Sequence, residues 1–170
     1  AFRYRLVLAA TLSPAYGIYS GYELCENEPQ SARSEEYRDS EKYQFRPRDW
    51  SRSGSLAPLV TQLNQIRREH PALQQLRRVH FHRTDDPLVL AYSKHNADRS
   101  DVVLAAVNLD PRLAHRAELQ LSLPALGFTT PHPLQVTNLL TGESTTWRGP
   151  RQTVELDPKV GPALLVSVRR

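Results

Sequence analysis

The pattern of apolar residues changes near residue 78, and this change limits the possible folds more than any other feature. Beyond it, short runs of alternating apolar and polar residues follow one another. In residues 115–123, for example, Ala117, Leu119, Leu121 and Leu123 share one face. Such alternation has the period of a β-strand with one side buried.

Seven or eight short strands are predicted after residue 78, separated by turns such as Thr141-Gly142-Glu143. They cover residues 88–92, 102–107, 115–123, 134–140, 145–147, 153–156 and 163–168, and His80 and His82 lie on one face of an earlier strand. This number and spacing of strands predict an antiparallel β-sandwich over residues 79–170.

Residues 1–78 predict helices on either side of one short strand. A helix is predicted from Phe2 to the residues before Pro14, since proline ends a helix. Its apolar face comprises Phe2, Leu6, Ala9 and Ala10. The run Gly17–Gly21 predicts a short buried parallel strand, and a second helix begins near Ser55.

Composition argues against several classes of function. Lysine and arginine exceed acidic residues by only 22 against 18, and the arginines are spread along the chain, so we expect no nucleic-acid partner. No run approaches the ~18 apolar residues of a membrane span. The single cysteine, Cys25, is expected to be structural and indicates a reducing, cytoplasmic compartment. A chain that starts at Ala1 and lacks methionine is expected to be a fragment.

The order of helix, short strand, long loop, helix and β-sandwich, together with Ser13–Glu23, resembles the end of the catalytic barrel in the α-amylase superfamily. Four segments resemble the bacterial maltose-1-phosphate maltosyltransferases: Ser20–Asn27, Ser34–Tyr37, Asp39–Tyr43 and Arg46–Trp50. The resemblance implies that residues 1–78 are the last βα unit of a (β/α)8 barrel, with helix 7, strand 8, a long loop and helix 8. Residues 79–170 would then be the C-terminal β-sandwich domain.

The activity that this resemblance implies is a retaining glycosyltransfer. Enzymes of this family move maltosyl units from α-maltose 1-phosphate to the non-reducing end of α-1,4-glucans and release phosphate. Their three catalytic carboxylates would lie upstream of Ala1, so the isolated chain is expected to be inactive. No cofactor or metal is expected, and the full-length protein is expected to be a homodimer.

The long loop Tyr22–Gly54 carries the site residues that the resemblance implies. In a (β/α)8 barrel, the loops after the strands form the active site. Lys42 and Tyr43 are similar to a pair that lines the donor-sugar pocket in the family. Lysine offers several donors to sugar hydroxyls, and tyrosine offers a stacking face with a polar tip.

Other candidate residues have two interpretations each. Glu23 and Glu26 are an acid–base pair or, as we favour, hydrogen-bonding residues at the rim of the site. His80 and His82 are a metal-binding pair or, as we favour, ordinary strand residues. Trp147 stacks on a sugar or, as we favour, packs in the sandwich.

Two alternative functions stay open at the level of sequence. The chain could end another enzyme of the superfamily, such as an amylase, a glucosidase or a trehalose-forming isomerase. It could also be a glucan-binding β-sandwich without catalysis. Because strand eight would lack both neighbours here, residues 1–54 are expected to be poorly held in the isolated chain.

Overall fold

The computed structural model describes residues 1–34, 36–38, 45, 47–128 and 132–169. It contains the α-helices Phe2–Leu12 (α1) and Ala57–Glu69 (α2) and the 3₁₀ turns Tyr22–Leu24 and Pro71–Gln74. The strands are Val79–Thr84 (β1), Val89–His95 (β2), Val102–Asn108 (β3), His115–Gln120 (β4), Leu134–Asn138 (β5), Ser144–Trp147 (β6), Arg151–Leu156 (β7) and Ala163–Arg169 (β8). No described helix has the length and apolar character that crossing a membrane requires.

All the described strands are antiparallel to their neighbours, in the order β6-β5-β8-β3-β2-β1-β4-β7. Strand β1 belongs to two layers, because Val79–His82 pair with β2 whereas Arg83 and Thr84 pair with β4. The sheet therefore curls, and β4 and β7 lie over β2, β3 and β8. The antiparallel strands predicted after residue 78 are confirmed, and β1 joins the layers into a near barrel.

Strand β3 lies at the centre of the fold and is buried along its whole length. Leu104 and Ala106 face the core between the two layers, whereas Val103 and Ala105 face the helices. The opposite wall of the inner core contains Ala117, Leu119, Leu121, Val154 and Leu156. The apolar face predicted for residues 115–123 is therefore confirmed.

The helices α1 and α2 cover the outer face of the sheet. Their fully buried residues are Leu6, Val7, Ala10 and Thr11 of α1 and Leu63 and Ile66 of α2. The face predicted for α1 is partly wrong, because Ala9 is exposed and Phe2 is half-buried. The helix is apolar on nearly every side after Arg5, so contacts with α2 and β3, rather than spacing, select its buried face.

The short parallel strand predicted at Gly17–Gly21 is not formed. Residues 16–19 have no regular secondary structure, and Gly21 has a left-handed φ of 96°. A strand exists only through pairing with a neighbour, and no described segment pairs with this one.

A buried lysine connects the sheet to the end of α1. Lys94 of β2 is 1% exposed, and its Nζ donates to the carbonyl of Leu12 at 3.1 Å and to that of Leu73 at 3.5 Å. The hydroxyls of Thr11 and Tyr92 lie 2.5 Å apart beside it. The last carbonyls of a helix have no partner within the helix. Lys94 of β2 supplies a hydrogen-bond donor to one of them at the C-terminus of α1.

Arg67 of α2 binds the same helix end from the other side. Its guanidinium donates to the carbonyls of Ala10, Ser13 at 2.9 Å and Pro14 at 2.6 Å. It also lies over the ring of Tyr16, 5.1 Å from the centroid. Two cations thus meet the negative end of the α1 dipole and fix the start of the segment that leads to the long loop.

Candidate functional site

The long loop begins with a tight reversal of the backbone. Gly21 adopts φ 96°, the turn Tyr22–Leu24 follows, and half-buried Cys25 has φ 56°. A Cβ on Gly21 would collide with the carboxylate of Glu26. Both the backbone conformation and the close approach therefore require glycine at this position.

An ion pair joins the two ends of the loop. The Nε of Arg48 donates to both carboxylate oxygens of Glu26, at 3.2 and 3.3 Å, and its Nη2 donates to the carbonyl of Ser20 at 3.4 Å. The Arg48 and Glu26 side chains are only 13% and 20% exposed, so water screens the pair less than it screens a surface pair. The ion pair fixes the Glu26 carboxylate beside the start of the loop, and its assignment to the rim of a substrate site stays a prediction.

Between these ends, the loop forms a small hairpin. Pro29 and Tyr37 form an antiparallel bridge, and the backbone N–H of Arg38 donates to the carbonyl of Glu28 at 2.7 Å. The guanidinium of Arg38 also contacts the Glu28 carboxylate at 3.0 Å.

Several aromatic side chains of this region are exposed: Tyr19, Tyr37, Phe45 and Trp50. The rings of Tyr19 and Tyr37 meet edge to face with centroids 6.0 Å apart. Exposed aromatic faces with polar surroundings suit the apolar faces of sugar rings. The segments that flank the predicted sugar pocket thus carry side chains appropriate to a carbohydrate.

Glu23 carries a buried oxygen that has no described partner. Its Oε2 is inaccessible to water and makes no hydrogen bond within the described residues, although its carbonyl accepts from the N–H of Leu56 at 2.7 Å. Leaving a buried carboxylate oxygen unpaired costs free energy. A donor for this oxygen is not among the described residues.

Lys42 and Tyr43, the predicted sugar-binding pair, lie outside the described residues. The structure describes their neighbours Arg38 and Arg48, between which the predicted pair falls in sequence. Their assignment to the donor-sugar pocket stays a prediction.

His80 and His82 lie side by side, with ring centroids 5.0 Å apart. The backbone N–H of Ser122 donates to Nδ1 of His82 at 3.1 Å, so the Nε2–H donates to the hydroxyl of Ser93 at 2.9 Å. Burial lowers the pKa of His82 to about 4, with His80 as a smaller cause. With both nitrogens of His82 in use, the pair lacks a free metal ligand on its buried member. Within the described ranges, no group of three or more His, Cys, Asp and Glu could hold a metal ion.

Sequence reasoning missed a cluster in which a histidine joins two aspartates. The Nδ1 of His115 lies 2.5 Å from Asp86, and its Nε2 lies 3.5 Å from Asp110. Hydrogen bonding to Asp86 first, and then to Asp110, raises the pKa of His115 above its usual value. The signal was present, because each aspartate precedes a proline at the turn after a strand, and these two strands, β1 and β3, both pair with β2. The cluster joins the β1–β2 and β3–β4 connections, with His115 as the first residue of β4.

Comparisons with known proteins identify relatives over the whole chain. A sequence model of the family described as "GLGE, C-terminal" matches residues 81–168. Alpha-1,4-glucan:maltose-1-phosphate maltosyltransferase 1 of Streptomyces coelicolor is 53% identical over 174 residues, which cover 100% of this chain and 25% of that protein. The maltosyltransferase of Mycobacterium tuberculosis H37Rv is 44% identical and covers 98% of this chain and 24% of its own length. The chain thus spans about a quarter of the length of these curated relatives.

Solved structures show a related fold. The α-amylase of Geobacillus thermoleovorans, complexed with acarbose, superposes with a TM-score of 0.67 at 14% identity and covers 99% of this chain and 33% of that one. The gamma-CGTase of alkalophilic Bacillus clarkii gives a TM-score of 0.53 at 18% identity, with 98% and 22% covered. At such identities the likeness concerns the fold alone. The family match spans more than half of the chain, and the chain therefore belongs to the family described as GLGE, C-terminal.

Proposed function

We propose that this chain is the C-terminal part of a retaining glycosyltransferase of α-glucan biosynthesis. The whole enzyme moves maltosyl units from α-maltose 1-phosphate to the non-reducing end of α-1,4-glucans and releases phosphate. The observation that carries the proposal is the 53% identity with a named maltosyltransferase along the full chain, including the long loop.

Residues 1–78 act as the last βα unit of a (β/α)8 barrel, and residues 79–170 as the C-terminal β-domain. The whole-chain likeness to an α-amylase fold supports this division. In the complete barrel, Gly17–Gly21 gains a neighbour on each side and becomes strand eight.

The chemistry divides between this chain and the part upstream of it. A retaining transfer requires two carboxylates ~5 Å apart on opposite sides of the anomeric carbon. The Glu26 carboxylate is paired with Arg48, and we assign it a structural role at the rim rather than a catalytic one. The chain contributes one wall of the substrate site, in which Lys42 binds sugar hydroxyls and Tyr43 stacks on a ring. The enzyme is a cytoplasmic homodimer that needs no cofactor and binds neither nucleic acid nor membranes.

Substitutions in the full-length protein test this assignment. We expect Lys42→Ala and Tyr43→Ala each to raise the KM for α-maltose 1-phosphate by about tenfold or more, because each removes direct contacts with the donor sugar. Phosphate release with glycogen as acceptor measures the effect, and Lys159→Ala, at an exposed lysine, is the matched control.

Two results would contradict the proposal in different ways. If Lys42→Ala behaves like Lys159→Ala, the site assignment is wrong. If the wild-type protein hydrolyses glucans and releases no phosphate from maltose 1-phosphate, the chain ends an amylase or glucosidase instead. The isolated 170-residue chain is expected to release no phosphate.

A further inference from the structure

Strands β6 and β7 are consecutive in the chain but do not pair with each other. Only residues 148–150 separate them, a length typical of a hairpin. Yet β6 pairs with β5, and β7 pairs with β4. They are the two ends of the strand order among the described residues. Each therefore presents an unpaired edge of backbone donors and acceptors.

An open cleft of about 510 Å³ lies where these strands separate. The register of β5 and β6 determines which side chains line it. Thr145 is opposite Val136 and Trp147 is opposite Leu134, and Val136 and Leu134 are buried in the inner core. Thr145 and Trp147 consequently face the cleft, and Val154 of β7 lies on the other side, while the flanking Thr153 and Glu155 border the cleft from the outer face of β7.

The side chains of the cleft combine an aromatic surface with neutral and acidic oxygen groups. Trp147 is half-buried and packs against the inner core, as favoured from the sequence, but it also lines the cleft. Glu143 lies there together with Thr145, whereas the carboxylate of Glu155, at the margin, lies 3.8 Å from Nε of Arg116. Carboxylates disfavour phosphates and other anions, whereas they accept hydrogen bonds from hydroxyls. An indole beside such acceptors suits a neutral sugar ring, which has an apolar face and a polar rim.

The cleft also continues into a longer groove. A second concavity of about 820 Å³ shares Asn138, Glu155 and Leu164 with it and extends to Leu56 and Pro58 near the start of α2. A small molecule needs only a pocket of ~300–1,000 Å³, and the two spaces together exceed that size. An elongated ligand with many hydroxyls fits this shape better than a single sugar.

We propose that the cleft between β6 and β7 is a binding site for a stretch of α-glucan chain. The choice of α-glucan among neutral polysaccharides rests on the proposed function. Trp147 stacks on one glucose ring, Glu143 accepts hydrogen bonds from hydroxyls, and the adjoining groove holds the continuing chain. The β-domain thereby retains a glucan polymer on the enzyme.

A pair of neighbouring threonines provides a matched test. Thr145 and Thr146 are both exposed on β6, but Thr146 points away from the cleft, where its hydroxyl contacts Gln135 at 3.3 Å. In affinity electrophoresis of the 170-residue chain through glycogen, we expect Thr145→Arg to weaken binding about tenfold or more, since the new side chain fills the cleft. Thr146→Arg should bind like the wild type. Trp147→Phe, which keeps an apolar contact with the core, should bind several-fold more weakly.

Three outcomes would overturn the proposal: no retardation of the wild type by glycogen, equal retardation of the two arginine variants, or a change confined to oligomeric state. The last result would mean that the open edges pair with a protein strand instead. The proposed activity is judged separately, by phosphate release from wild-type full-length enzyme. Loss of that activity with glycogen binding intact refutes the enzyme assignment alone. Phosphate release together with equal glycogen binding by both arginine variants refutes the cleft alone.

Discussion

The surroundings of two histidines, His82 and His115, shift their pKa values in opposite directions. Burial lowers the pKa of His82 to about 4, whereas hydrogen bonds to Asp86 and Asp110 raise the pKa of His115. The unfolded value of both is ~6.5. His82 therefore adds stability above pH 6.5 that is lost as pH falls towards 4. His115 adds stability below pH 6.5 that is lost as pH rises through its folded value.

NMR titration of the imidazole protons should distinguish the titration of His82 from that of His115. We expect His115 to titrate above pH 6.5 and His82 to stay neutral until about pH 4. In urea denaturation, His115→Asn should reduce the loss of unfolding free energy on the alkaline side of pH 6.5. An unchanged pH profile in that variant would show that the contacts with the aspartates do not stabilise the fold.

At the scale of elements, the end of α1 is held by cations from two other elements, and one of them is buried. Burial, and secondarily Arg67, lowers the pKa of Lys94 from 10.5 to about 8. Between these values the unfolded chain binds the proton and the folded chain does not. The free energy of unfolding should therefore increase as pH rises from 8 to 10.5.

The difference between wild type and Lys94→Met isolates this contribution. We expect the wild type to gain up to about 3 kcal/mol relative to the variant between pH 7.5 and 10.5, measured by urea unfolding. Lys159→Met, at an exposed lysine, should follow the wild type at both pH values. If Lys94→Met also follows it, the ammonium is not desolvated in the folded protein.

Elements were predictable from the sequence where local pattern determines them. The alternation Ala117, Leu119, Leu121 identified a strand and its buried face, because one side of β4 meets the core and the other meets water. The buried face of α1 was not predictable, because its sides after Arg5 are almost equally apolar. Gly17–Gly21 has the composition of a strand, but pairing with other segments decides whether it becomes one.

The contacts of the candidate site were harder to predict from local sequence pattern than the strands. The family resemblance located the loop, but the Glu26–Arg48 pair joins residues 22 positions apart that no local pattern links. The Asp86–His115–Asp110 cluster likewise depends on two chain connections and the start of β4 meeting in space.

At the scale of the whole molecule, the helices and the sheet share one core. Leu6 and Val7 of α1 are each 2% exposed and pack in the same cluster as Val103 and Leu165. The expectation that residues 1–54 are poorly held is therefore not supported for α1. The loop differs, because few of its side chains that the structure describes are buried.

Limited proteolysis of the isolated chain should reveal this difference. We expect trypsin to cut first within the loop, at exposed sites such as Arg33 and Arg52. The α1 fragment should remain bound to the remainder during gel filtration, because its apolar contacts persist after cleavage. Release of that fragment would show that α1 is held by the chain connection and not by packing.

The position of β8 has a consequence for the way this domain is made. It lies between β3 and β5, although it follows every other described strand in the chain. During synthesis, β5 and β6 emerge from the ribosome before the strand that connects them to β3 exists. Long-range pairing of this kind slows folding. The sheet therefore cannot be completed, and β3 and β5 keep unpaired edges, until residues 163–169 have left the exit tunnel of the ribosome.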